Sequence, residues 1–171
     1  MAGDRPRIEL FLRSLAPATG RDGQERIVER LRTLDEENVV RDFEVVLCGE
    51  CVCPQAATAE TEPGERLLTS YEAFEAWADD RDRELSGFEQ RDTKSILTGT
   101  TVTGIVFPRV VLAEYRDGDL TFVAPSADDT EKTSVSDRLS AYESGEAAER
   151  ASDEAQREPR AEDATVDEVE E

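Results

Sequence analysis

The sequence predicts an α+β domain. The expected architecture is a mainly antiparallel sheet with helices packed on one face, in the order β-α-β-α-β-β-β-α, with a ferredoxin-like arrangement as one form it can take. Three observations carry this. Residues Arg7–Leu15 alternate apolar and polar as a half-buried strand does. Three later segments join a capping spacing to an apolar stripe at helical period. Two β-rich runs, Val102–Tyr115 and Leu120–Val123, flank Asp117-Gly118, the dipeptide of a type I′ hairpin turn.

In the first strand, Ile8, Leu10 and Leu12 face one way and Glu9, Phe11 and Arg13 the other. A loop over Pro17–Gly20 leads to Asp22-x-x-Glu25, a capping-box spacing with Asp in place of Ser or Thr. Ile27, Val28, Leu31 and Leu34 form the stripe of the first helix. Phe43–Cys48 (FEVVLC) is the second strand and completes a β-α-β unit, whose crossover is right-handed if the two strands lie parallel in one sheet. Ala56–Gly64 (AATAETEPG) reads as a loop or linker, and Thr69-x-x-Glu72 as the start of a second helix with Phe74, Trp77 and Ala78 inward. Phe88–Ser95 is a weak, charged strand suited to a sheet edge. Pro108 lacks an N–H, so it marks a bulge, an edge or a break between two strands. Ser134-x-x-Asp137 opens the last helix, which carries Val135, Leu139 and Tyr142 and stops near Gly145.

This domain is expected over residues 1–144. Residues 145–171 hold eleven acids against three arginines and no aromatic residue, with Val166 and Val169 the only branched aliphatics. That segment has too little apolar surface to offset its ordering entropy and reads as a disordered acidic tail. No internal repeat is visible.

With 171 residues, the chain suits one domain plus a tail. No run reaches the roughly 18 apolar residues of a membrane span, and Met1–Leu12 has no apolar signal-peptide core. Three cysteines cannot all pair within one chain, which argues against a secreted disulfide scaffold. The expectation is a cytoplasmic protein with no membrane contact. Asp and Glu number 41 against 20 Lys and Arg, a net charge of −21; 18 of the bases are Arg, and only Lys94 and Lys132 are Lys. Acid excess with scarce lysine points to life in molar salt, where the Debye length falls to about 3 Å and dense like charge stops repelling. Concentrated salt also strengthens apolar burial, so a modest core suffices. A mesophilic protein with an acidic tail or a nucleic-acid-mimicking surface is the other reading.

Catalysis finds little support. There is no His, hence no ordinary general base or triad base, and no Walker loop, glycine-rich dinucleotide turn or H-E-x-x-H motif. In so acidic a chain, pairs such as Asp79–Asp80 and Asp128–Asp129 arise by chance. The expectation is no enzyme, no catalytic residue and no cofactor. Concentrated chemistry appears once, in Cys48-Gly49-Glu50-Cys51-Val52-Cys53-Pro54. Cys48, Cys51 and Cys53 are candidate zinc ligands, with Glu50, solvent or a second subunit needed to complete four-fold coordination. In an unbroken strand Cys48 would face away from the other two, unless Gly49 supplies a bulge. Small apolar strand residues and a redox sensor are the alternatives. Arg21, Arg26 and Arg30 on the first helix are candidate nucleic-acid contacts, although Glu25 and Glu29 make that face mixed.

The run RIELFLRSLAP, the helix containing QERIVERL, CGECVCP, TGTTVTGIVFPRVVLAEYRDGDL and FVAP together resemble a group of small acidic haloarchaeal proteins labelled "HTH domain", over roughly Arg7–Leu139. The resemblance implies a halophilic archaeal cytoplasm and, from the label, a DNA-binding transcriptional regulator. It brings no activity or catalytic residue. The residues themselves favour a non-catalytic interaction or regulatory module that meets a protein partner through its sheet or a strand edge, with DNA as the alternative partner and a thiol-based metal or redox sensor as a further reading.

Overall fold

Strand β1 (Arg7–Arg13) forms the backbone of the core in the computed structural model, which describes residues 5–13, 21–49, 51–53 and 61–146. It is followed by α1 (Arg21–Glu36), β2 (Asp42–Cys48), β3 (Cys51–Val52), α2 (Glu62–Asp80), β4 (Glu84–Leu85), β5 (Glu89–Lys94), β6 (Thr101–Val106), β7 (Val110–Arg116), β8 (Asp119–Ala124), β9 (Ser126–Ala127), β10 (Lys132–Thr133) and α3 (Val135–Ser144). The main sheet runs β2-β1-β7-β8, and two three-stranded sheets, β10-β9-β4 and β3-β6-β5, flank it. Among the described residues only β1 with β2 is parallel; β1–β7, β7–β8 and the pairs of the smaller sheets are antiparallel. The α+β class with a mainly antiparallel sheet therefore holds. The condition for a right-handed β1-α1-β2 crossover is met.

Two parts of the expected architecture change. A ferredoxin-like sheet is built from split β-α-β units, whereas β1 and β2 here pair directly, Ile8 beside Phe43 and Leu10 beside Val45. The helices also lie on both faces of the sheet. Successive strand residues point to opposite sides. Phe11 meets Phe74 of α2 edge-on at 5.5 Å, and Glu9, on the same side, pairs with Arg66 of α2. Ile8 lies opposite Glu114 of β7, and Glu114 meets Arg138 of α3. Helix α2 thus covers one face and α3 the other, which is why β1 is buried along Ile8–Leu12 whatever the direction of the side chain.

Several local expectations hold. Asp117 and Gly118 have φ of +52° and +91°, as the mirror-image turn between β7 and β8 requires. Ser134 and Asp137 exchange hydrogen bonds: the Asp137 amide donates to Ser134 Oγ at 3.1 Å and the Ser134 amide to Asp137 Oδ2 at 2.8 Å. Gly145, left-handed at φ +81°, closes α3. Of the three roles open to Pro108, the structure selects the break between β6 and β7. Helix α2 starts earlier than Thr69: Thr61 is its N-cap, accepting from the Gly64 amide at 3.3 Å, and Pro63 sits in its first turn. A proline there costs no helical hydrogen bond, so Thr61–Gly64 belong to the helix end and not to a linker. Helix α1 begins at Arg21, which puts Asp22 inside its first turn. The Pro17–Gly20 loop, residues 56–60 of the expected linker and residues 147–171 of the expected tail lie outside the described residues.

One buried ion pair crosses the α3 side of the sheet. The Glu114 carboxylate accepts from Arg138 Nη2 at 2.6 Å and from Arg116 Nε at 2.9 Å, and Arg138 lies 4.0 Å over the Phe122 ring. Burial is the largest single influence and alone would raise the Glu114 carboxyl, but the charges and hydrogen bonds of its neighbours, Arg138 first among them, together outweigh it and hold the group below the usual carboxylate range.

Candidate functional site

Of the candidate arginines on α1, Arg26 and Arg30 stand in different surroundings. Arg30 turns toward α3, where Nε and Nη2 hold the Glu143 carboxylate at 2.8 and 3.0 Å and Nη1 and Nη2 reach the Ser136 and Ser140 hydroxyls at 2.9 Å each. The bond to Glu143 raises the Arg30 guanidinium above its ordinary value. Its guanidinium joins two helices. Arg26, one turn away, is exposed, and Arg21 opens the helix. Other arginines serve in the same way. Glu9 and Glu44 stand side by side on parallel strands, and Arg66 of α2 bonds both, at 3.4 and 2.9 Å. That contact, first through the hydrogen bond from Arg66, lowers the Glu44 carboxyl.

The cysteines divide between two sheets. Cys48 ends β2 in the main sheet and is buried; burial pushes its thiol up to about 11, so it stays protonated at neutral pH. Cys51 and Cys53 lie on and just past β3 in the small β3-β6-β5 sheet, with their sulfurs 3.7 Å apart. The chain changes sheets between Cys48 and Cys51, and Gly49 lies on that connection instead of forming a bulge that returns Cys48 to the other two. Among the described residues, no three His, Cys, Asp or Glu side chains gather where they could hold an ion.

A third feature was missed by motif reading. Strands β5 and β6 pair from Glu89–Val106 out to Lys94–Thr101 and project as a two-stranded ribbon. Its root is sealed into the core, where Phe88 and Phe107 meet at 5.2 Å and Tyr71 of α2 lies 5.7 Å from Phe88. At its tip the Ser95 amide donates to the Thr100 carbonyl and the Gly99 amide to the Ser95 carbonyl, each at 2.9 Å, with Gly99 left-handed at φ +67°. This closed turn presents Ile96 and Leu97 at 100 % and 96 % exposure. No Asp or Glu occurs from Thr93 to Ala113, the longest acid-free run in a chain with 41 acids. Two adjacent branched aliphatics inside a Ser/Thr/Gly turn were the available signal; periodicity has no reading for a turn that is itself apolar.

The ribbon is the surface best suited to contact. It is packed at its root and closed at its tip by backbone hydrogen bonds, lacks carboxylates near that tip, and holds two side chains that water solvates poorly. Nearby acids tell a different story: Asp79, Asp82, Glu84, Asp128 and Asp129 line a shallow depression beside Arg83, and Asp128 is lowered to about 2, chiefly by its bonds from the Thr130 hydroxyl and amide. Those bonds, with one from the Glu131 amide, close the loop from Asp128 to Glu131 on itself. No helix among the described residues is long and apolar enough to cross a membrane.

Residues 2–147 match a family described as a helix-turn-helix domain. No curated protein matches the chain. Within the described residues, α1 is followed by β2 and β3, and α2 by β4 to β10, so no two consecutive helices meet across a short turn.

Proposed function

The chain belongs to the helix-turn-helix domain family, and on that premise we propose that it is a non-catalytic regulatory module in the cytoplasm of a halophilic archaeon, one that grips a protein partner with the tip of the β5–β6 ribbon and needs no cofactor. The observation that carries this reading is the full exposure of Ile96 and Leu97 on an anchored hairpin whose tip and second strand carry no acid. Such a pair gains roughly 1.5–3 kcal/mol per side chain when a partner pocket removes it from water. The excess of 41 acids over 20 bases, 18 of them Arg, supports the saline habitat, and molar salt strengthens apolar contacts while it weakens ionic ones.

Direct DNA binding is the second reading, favoured by the family description. Here Arg21 and Arg26 would approach phosphate, against a net charge of −21 and in salt that erodes phosphate contacts steeply.

One experiment separates the two. The protein and its I96S/L97S double variant are used in parallel, as bait in molar KCl and in gel shifts on genomic fragments across a KCl series. Partner capture lost in the variant, with an unchanged melt by circular dichroism, supports the protein-contact reading. Equal capture by both, together with a band shift whose affinity falls linearly in log salt, overturns it in favour of DNA.

A further inference from the structure

We propose that Cys51 and Cys53 form a redox-modification site, a dithiol that closes to an intrachain disulfide under peroxide and is reopened by a thiol reductant. The two residues share one side of β3, two positions apart, with their sulfurs 3.7 Å from each other. Across from them stands Gly104 of β6, in register to follow the Cys51–Val106 and Val52–Ile105 pairs. A β-carbon at 104 would collide with the Cys51 sulfur and come within 3.1 Å of the Cys53 sulfur. The glycine therefore provides the notch in which both sulfurs lie, a use of strand glycine for close approach.

Alternate residues of an extended strand have Cα atoms about 6.6 Å apart, inside the range of roughly 4.4–6.8 Å that a disulfide spans but near its upper end. Closure is thus reachable with a small movement of Cys53, which lies just past the strand. A bond formed at that limit is readily reduced, as regulatory disulfides are. Cys51 is exposed and Cys53 half-buried, which orders the steps. The Cys51 thiolate attacks one peroxide oxygen, the O–O bond breaks, hydroxide leaves and takes a proton, and a sulfenic acid remains. The Cys53 thiolate then attacks that sulfur and expels a second hydroxide, which leaves as water. Two thiols and one hydrogen peroxide give one disulfide and two waters, with two electrons passing from sulfur to peroxide. Cys48, buried in the other sheet, takes no part.

Two thiolates on one tetrahedral zinc, each at about 2.3 Å, would also stand about 3.8 Å apart, but zinc takes four ligands. The described residues bring no third His, Cys, Asp or Glu to the pair. A disulfide requires only the two sulfurs present.

The test uses the full chain, reduced, in molar KCl, treated with equimolar hydrogen peroxide and then cut after glutamates. Cleavage after Glu50 and Glu60 separates Cys48 from a 51–60 peptide that carries the other two cysteines. The expected result is a 51–60 peptide lighter by two hydrogens in the wild type and in C48S, restored by dithiothreitol. In C53S, Cys51 should stop at a sulfenic acid trapped by dimedone. G104V should lower the disulfide yield, and the cysteine variants decide the matter if it does not fold. The proposal is overturned by a disulfide that links the Cys48 peptide to the 51–60 peptide, by oxidation of Cys51 beyond the sulfenic acid without cross-linking in the wild type, or by stoichiometric zinc in the purified wild type that C51S loses.

Discussion

The main sheet and the β3-β6-β5 sheet use similar strands under opposite conditions. In the first, β1 and β7 sit between neighbours and under helices on both faces, so that even Glu114 is 1 % exposed and must be held by two guanidinium groups. In the second, every residue of β5 is exposed, and the ribbon is fixed to the body at its root by Phe88 and Phe107. A strand closed on both faces spends its side chains on the fold. A ribbon open to water can keep Ile96 and Leu97 for another surface and the Cys51–Cys53 pair for solution chemistry.

Salt should break this comparison most completely. In molar KCl both sheets are expected to be formed; as KCl is lowered, repulsion within a chain of charge −21 should end cooperative folding altogether. Amide hydrogen exchange followed along that series should show β5 and β6 opening before β1 and β7. Equal thermal midpoints in dilute and molar KCl, or simultaneous opening of both sheets, would count against it.

Next in size is the buried ion pair. R138M leaves Glu114 buried with Arg116 alone, and such a loss costs about 3–5 kcal/mol, measurable by denaturant unfolding. Because the folded Glu114 carboxyl lies below its usual value, the pair contributes its stability above the unfolded carboxyl pKa of about 4.3. That stability is lost as pH falls through the lowered folded value. The gap between wild type and R138M should therefore narrow on acidification, and a constant gap down to strongly acidic pH would refute the assignment.

Phe11, 0 % exposed between Phe74 and Phe107, tests the same contrast without charge. F11A should cost about 3–5 kcal/mol, whereas T93A on β5 should stay within about 0.5 kcal/mol. The smallest expected effect on stability belongs to I96S/L97S, again within about 0.5 kcal/mol, because a fully exposed side chain has no native packing to lose. If this variant melts well below the wild type, the tip packs on the body and is not a contact surface.

Features closed within a few residues were legible in advance. The Asp117-Gly118 turn, the Ser134–Asp137 capping box, the Gly145 stop and the charged edge strand before Ser95 each follow from backbone preferences or bonds spanning at most three residues. The start of α2 is hidden from pattern because Pro63 and Gly64 look like loop residues unless Thr61 is already known to cap them. Candidate sites fared differently. Arg30 has the same sequence surroundings as Arg26, yet it is committed to Glu143, 113 residues away.

The sequence by itself determined the α+β class, the acid-rich surface and the local stops and turns, because periodicity, capping and φ preference act between neighbours. Only tertiary structure decided that helices cover both faces of the sheet, that Cys48 belongs to one sheet and Cys51 and Cys53 to another, and that Ile96 and Leu97 remain in water. Those outcomes depend on which distant surfaces the core brings together, through pairings such as Phe11 with Phe74 and Glu114 with Arg138, and no window along the chain contains both partners.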